Sequence, residues 1–184
     1  MTDCNCFASA LQVSDQLHRT EQSLAIASVD QVLNASRFAS SVCRQYAACE
    51  SCTDPSYFSI YVLVLRTAVR CYNYLAQSPS NNSSPSSVST SSSGSSQGYR
   101  ATSRVRIGAF EVDAPLDDHT RAVILRNELN RAAEAAQQLD TVLGPSSSKA
   151  STHRRDNTTL EYQRGLVKAL REEIAAVEQT LLAG

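Results

Sequence analysis

Apolar residues recur along this chain at alternating spacings of three and four, the rhythm that places them on one face of a helix, in five separate stretches. The first, about Asp3 to His18, carries Phe7, Ala10, Leu11 and Leu17, with Asp3 in position to act as N-cap. The second opens at Ser28, where Gln31 stands three residues on as a capping box requires. Val29, Val32, Ser36, Ala39, Cys43 and Tyr46 form its seam, Leu33 and Val42 widen that face, and the helix should end near Ala48. The third begins at "DPSYF", with Asp54 as N-cap and Pro55 at the first helical position, where a missing N–H costs nothing. From Tyr57 to Ala76 it is apolar on nearly every side at first, which predicts a central helix packed by several neighbours. The β-rich run "SIYVLVL" leaves a strand open there, and length and cap favour helix.

The pattern then stops. Residues 77–103 are dominated by serine, with Val88 the one apolar side chain of "SPSNNSSPSSVSTSSSGSSQG", so they cannot bury enough surface to offset the entropy of ordering. They read as a disordered insert. Order resumes at "RVRIGAFEVD", Arg104 to Asp113, where Val105 and Ile107 can point one way in an extended segment and Gly108 permits a turn.

A fourth helix, about Leu116 to Leu143, should be capped by Asp113 or Ala114, with Pro115 in its first turn and Asp117 and Asp118 at the positive end of its dipole. Its seam is Leu125, Leu129, Ala132, Ala136, Leu139 and Leu143, and "GPSSS" from Gly144 stops it. Residues 144–157 read as a flexible loop. Thr158 and Glu161 make a further capping box for a fifth helix, whose seam is Leu160, Val167, Leu170, Ile174, Val177 and Leu181. The two helices pair as an antiparallel hairpin inside the domain. The alternative is a homodimer through the same seams, which makes Leu125, Leu129, Leu139, Val167, Leu170 and Ile174 the candidate core or interface residues. The fold expectation is therefore all-α: about five helices in one bundle-like domain spanning 1–184.

Composition narrows the chemistry. The 184 residues are 42% hydrophobic and carry a net charge of −1, so no overall basic field exists to attract nucleic acid, and Arg154–Arg155, the sole adjacent basic pair, reads as a solvated loop. The N-terminus lacks the basic and apolar regions of a secretion signal. The most apolar run, Tyr57 to Leu65, is nine residues long, against the roughly 20 a membrane helix needs. The chain reads as soluble and intracellular, with no membrane partner. Its six cysteines then read as reduced thiols.

Cys49-x-x-Cys52 has the most suggestive spacing, yet no alternating βα pattern surrounds it as a thioredoxin-like site would need. Zinc requires two more ligands. Cys4 and Cys6 are candidates, although one intervening residue is unusual for a zinc knuckle. Structural or incidental thiols are the preferred reading, ahead of metal and then redox chemistry, and no metal or cofactor is expected. His18, His119 and His153 each stand alone in polar surroundings. Without a nucleophile elbow, a zinc-protease motif or a phosphate-binding glycine loop, the chain is not expected to be an enzyme.

Taken in order, "CNCFASALQVSDQL", "SVDQVLNASRFASSVCRQYAACESC", "YFSIYVLVLRTAVRCYNYLA" and "RVRIGAFEVDAPLDDHTRAVILRNELNRAAEAAQQL" form a pattern. It resembles the C-terminal regulatory domain of fungal aflatoxin regulatory proteins and related activators of secondary-metabolite gene clusters. The matching residues are Cys6, Ala10 and Leu11; Ser28, Asp30, Val32 and Leu33; Cys49 and Cys52; Tyr72 and Tyr74; and Ile107, Gly108, Phe110, Val112 and Asp113. The likeness runs from Cys4 to about Leu143 and makes the serine tract an insertion in one helical domain.

The resemblance implies a nuclear regulator of transcription that acts by protein–protein contact with a zinc-cluster transcription factor or a co-regulator. Full-length relatives carry a binuclear zinc cluster built from six closely spaced cysteines among basic residues. Here the six cysteines are scattered and have few basic neighbours, so neither that zinc nor direct DNA binding is carried over. A truncated relative, a separately encoded regulatory domain and a fragment of a longer gene all fit that departure. The alternatives are a metabolite-sensing pocket lined by Tyr57, Tyr61 and Tyr72 and a thiol- or metal-dependent module at "CESC".

Overall fold

The computed structural model describes residues 4–52, 55–78, 105–107, 110–112, 118–144 and 157–183. Five α-helices make up almost all of it: α1 Cys6–Gln22, α2 Val29–Ala47, α3 Phe58–Gln77, α4 Asp118–Val142 and α5 Asn157–Ala183. A 3-10 turn, Pro55–Tyr57, leads into α3. Two three-residue strands, β1 Val105–Ile107 and β2 Phe110–Val112, pair antiparallel with Val105 opposite Val112 and Ile107 opposite Phe110. The fold class is all-α, and this small hairpin is the sole strand structure among the described residues. β1 lies against α2, at the point where the chain returns to the helices after the serine tract.

α3 packs against each of the other four helices. Its buried residues, among them Phe58, Tyr61, Val62, Leu65, Ala68, Val69, Tyr72 and Leu75, run around most of its circumference, which explains its near-continuous apolar sequence. α1 packs on α2 and α3; α4 packs on α2, α3 and α5. The buried side chains join in one continuous core. Burying each large aliphatic or aromatic group contributes roughly 1.5–3 kcal/mol.

Local signals set most helix boundaries. The Ser28 hydroxyl accepts from the Gln31 backbone N–H at 3.2 Å, and the Gln31 side chain accepts from the Ser28 N–H at 3.1 Å, so the capping box forms in full. Gly144 ends α4 with a φ of +71°, a conformation that suits glycine. Its carbonyl accepts a hydrogen bond from Arg164 of α5 at 2.9 Å.

Three boundaries differ from the sequence reading. α1 begins at Cys6 with Asn5 at the N-cap and continues to Gln22, and Asp3, the expected cap, lies outside the described residues. Thr158 lies inside α5, which begins one residue earlier. α3 includes Gln77, so the first residue assigned to the insert belongs to a helix. Asp54, Asp113, Ala114, Leu116 and the remainder of the 77–103 and 144–157 stretches, apart from Ser78, Gly144 and Asn157, lie outside the described residues.

Charged groups tie the helices together around the core. Arg66 of α3 holds Glu173 of α5, and Arg70 of α3 meets Glu21 of α1 at 3.2 Å. These are exposed or half-exposed pairs that fix register and contribute little each. Glu128 differs. It sits on α4 with its side chain 3% exposed, and its Oε1 accepts from Arg37 of α2 at 2.8 Å and from Arg131 at 3.0 Å.

Candidate metal centre

α1 and α2 are joined by a short link, residues 23–28, and pack against each other, so the start of α1 and the end of α2 meet at one end of the bundle. The four cysteines nearest those ends converge there. The sulfurs of Cys4, Cys6, Cys49 and Cys52 all lie within 4.8 Å of one another. Cys4 Sγ is 3.1 Å from Cys52 Sγ and 3.3 Å from Cys49 Sγ, and all four thiols are free.

Each sulfur is placed by a local feature. Cys6 is the first residue of α1 and is buried. Asn5, at the N-cap, makes no side-chain capping bond. The first N–H of the helix, that of Cys6, donates instead to Cys4 Sγ at 3.3 Å, so the chain folds back and uses sulfur as its cap. Cys49 and Cys52 occupy the turn after α2. The Cys49 N–H donates to the Tyr46 carbonyl at 3.0 Å and the Cys52 N–H to the Cys49 carbonyl at 3.4 Å, which turns both thiols toward α1. Cys4 is exposed, Cys49 and Cys52 are partly buried, and Cys6 closes the inner side.

The electrostatics divide the four unequally. Cys4 is lowered to about 7 by hydrogen bonds, first from the Cys6 side chain, then from its backbone N–H, then from Cys52 and Cys49. Cys6 is pushed up to about 12, chiefly by burial, and burial also raises Cys52. Cys4 is thus the thiol most easily ionised of these three, and Cys6 and Cys52 favour the protonated form. A positive charge at the centre of the four sulfurs would favour the thiolate form of Cys6 and Cys52.

Tyr61 borders this cluster. Its ring stacks on Tyr46 with centroids 3.9 Å apart, and its side chain is fully buried. Its hydroxyl has no hydrogen-bond partner among the described residues. Burial raises its phenol, and Cys52, Cys6 and Cys4 are near enough to add to the rise.

The other predicted residues fall elsewhere. Leu125, Leu129 and Leu139 of α4 and Val167, Leu170 and Ile174 of α5 are all buried in the core, none more than 3% exposed. Tyr61 and Tyr72 are packed in the core while Tyr57 is exposed. A shallow groove between α4 and α5, of about 280 Å³, is bordered instead by Asp140, Arg164, Val167, Lys168, Arg171, Glu172 and Ala175. His18 is exposed and within 2.9 Å of Gln22, and His119 is exposed at the start of α4. His153, Arg154 and Arg155 lie outside the described residues. The remaining cysteines, Cys43 and Cys71, are buried in mid-helix; the Cys43 thiol donates to the Tyr61 carbonyl at 3.3 Å. The sequence reading passed over Glu128, a charge whose burial depends on Arg37, 91 positions away. Among the described residues, no helix is long and apolar enough to cross a membrane. In comparisons with known proteins, no family model, no curated protein and no solved structure matches the chain.

Proposed function

We propose that the chain is a regulator of transcription for a fungal secondary-metabolite gene cluster, working in the nucleus through contacts with another protein. The ordered series of phrases resembling the aflatoxin regulatory domain supports this reading. The observation that carries it is where those phrases fall. Cys6 and Ala10 open α1, Ser28 caps α2, Cys49 and Cys52 form the turn before α3, and Tyr72 is buried near the end of α3. Of the residues that carry the resemblance, Cys6, Ala10, Ser28, Val32, Leu33 and Tyr72 thus start, cap or pack the bundle, while Leu11 and Tyr74 are exposed.

The leucine seams are consumed by the core, so a partner would meet other surface. Phe7 and Tyr57 meet with ring centroids 4.3 Å apart and planes tilted by 37° on the outside of the bundle, both exposed, and Leu11 lies one helical turn beyond Phe7 with 48% of its surface exposed. Aromatic and aliphatic groups grouped this way are typical of the central part of a protein interface.

The test is deletion of the gene in its source organism followed by transcript profiling. The expected result is a coordinated change in the transcripts of one contiguous biosynthetic cluster, restored by the intact chain and not by a variant carrying Phe7→Ser, Leu11→Ser and Tyr57→Ser. Unchanged cluster transcripts in the deletion strain would overturn the regulatory reading. Full rescue by the triple variant would remove this edge as the contact surface.

A further inference from the structure

We infer that Cys4, Cys6, Cys49 and Cys52 bind one zinc ion in a closed tetrahedral site of four thiolates, which fastens the start of α1 to the turn between α2 and α3. The inference rests on geometry alone and is independent of the transcriptional reading.

Zinc–thiolate bonds of about 2.3 Å at tetrahedral angles place the sulfurs ~3.8 Å apart. All four sulfurs here lie within 4.8 Å of one another, with Cys4 at 3.1 Å from Cys52 and 3.3 Å from Cys49, distances to either side of that edge. Those two separations are well beyond the roughly 2.05 Å of a disulfide, and all four thiols are free. Iron–sulfur clusters of several irons distribute the thiolates over more than one metal and therefore need a wider spread. A compact set of four sulfurs suits one soft-accepting ion of tetrahedral preference, and zinc is the redox-inert choice.

Three further features fit. Cys49-x-x-Cys52 is the usual knuckle spacing, with a turn that carries both sulfurs to one side. The second pair reaches the site by a different device. Cys6 ligates from the first residue of a helix, where the positive end of the dipole favours thiolate, and Cys4 ligates from two residues ahead of it, folded back over the helix start. Tyr61 supplies a fully buried hydroxyl, without a partner among the described residues, beside Cys52, Cys6 and Cys4. Donation to a thiolate would satisfy it, as groups around metal ligands commonly do. With all four positions taken by protein sulfur, no open position remains for substrate, so the role is structural. Binding releases the remaining thiol protons to solvent and changes no oxidation state.

The full chain, purified without a histidine tag from zinc-supplemented culture, should contain one zinc per molecule by plasma mass spectrometry. Replacement by cobalt(II) should give the near-ultraviolet thiolate charge-transfer bands and intense visible bands of tetrahedral coordination. Cys52→Ser and Cys4→Ser should each lose most of the zinc, and Cys71→Ser, which changes a buried thiol elsewhere, should keep it. If a ligand variant fails to fold, the cobalt spectrum of the unaltered chain still decides. Metal-free protein with no cobalt thiolate bands would overturn the proposal, as would an isolated Cys49–Cys52 disulfide or iron in zinc's place.

Discussion

Glu128 offers a sharp test of how this bundle is held together, because its pairing is asymmetric. Its carboxylate is 3% exposed, whereas the side chains of Arg37 and Arg131 are 46% and 50% exposed. Both guanidiniums bond the same oxygen, and the buried Oε2 has no partner among the described residues. At the 2.8 Å separation from Arg37 the gross attraction at an effective dielectric near 20 is ~6 kcal/mol. Dehydrating the carboxylate costs several kcal/mol, so the net contribution is small.

The two ends of the pair should therefore respond differently. Arg37→Met keeps the apolar stem and removes the charge, which leaves a buried carboxylate facing Arg131 alone. Stripping one partner from a buried pair costs about 3–5 kcal/mol. The remaining arginine and the half-exposure of Arg37 reduce this to roughly 2 kcal/mol here. Glu128→Leu removes the dehydration cost and releases two guanidiniums already half in water, so it should lie within about 1 kcal/mol of the unaltered chain. The double variant should match Glu128→Leu, giving a coupling energy near 2 kcal/mol. Urea unfolding followed by circular dichroism measures all four proteins. A Glu128→Leu cost larger than that of Arg37→Met would refute the reasoning, since it would make the pair a net stabiliser that outweighs its own burial.

Removal of zinc by a strong chelator should lower the melting temperature by about 10 °C: a ligand at a thousand times its Kd contributes about 4 kcal/mol, and each kcal/mol shifts a chain of this size by roughly 2–4 °C. A melting curve unmoved by chelation would mean the ion, if bound, does not hold the fold. Tyr61→Phe should weaken zinc binding about tenfold or more in a competition titration against a chromophoric chelator, the usual effect of losing a group that supports a ligand; unchanged affinity would leave its hydroxyl without that role. Leu129→Ala and Leu170→Ala should each cost about 3 kcal/mol in urea unfolding, within the range for a fully buried leucine, with elution volume unchanged. A changed elution volume at an unchanged unfolding midpoint would instead place the seam between two copies. Ser28→Ala should cost about 1 kcal/mol by losing one half of the capping box, and calorimetry showing no loss would mean that α2 is fixed by packing alone.

How far the sequence revealed this architecture depends on how local each signal was. The Ser28–Gln31 box spans four residues and needs no partner from elsewhere, so it was readable and it forms. The all-round apolarity of α3 likewise announces a helix with neighbours on every side. Glu128 was unreadable for the opposite reason: its neighbour Leu129 marks a buried face, and only Arg37 makes a charge tolerable there. The convergence of the four cysteines depends on one boundary. With α1 begun at Asp3, Cys4 and Cys6 fall on a single helix two residues apart, about 200° around its axis, and cannot face one ion. With α1 begun at Cys6, Cys4 is released to fold back, and the short link between α1 and α2 obliges both to meet Cys49 and Cys52. Cys43 and Cys71 lie well inside their helices and never reach that end. The separation of six cysteines into four that converge and two that pack follows from where the helices stop, which the unusual one-residue spacing of Cys4 and Cys6 does not reveal by itself.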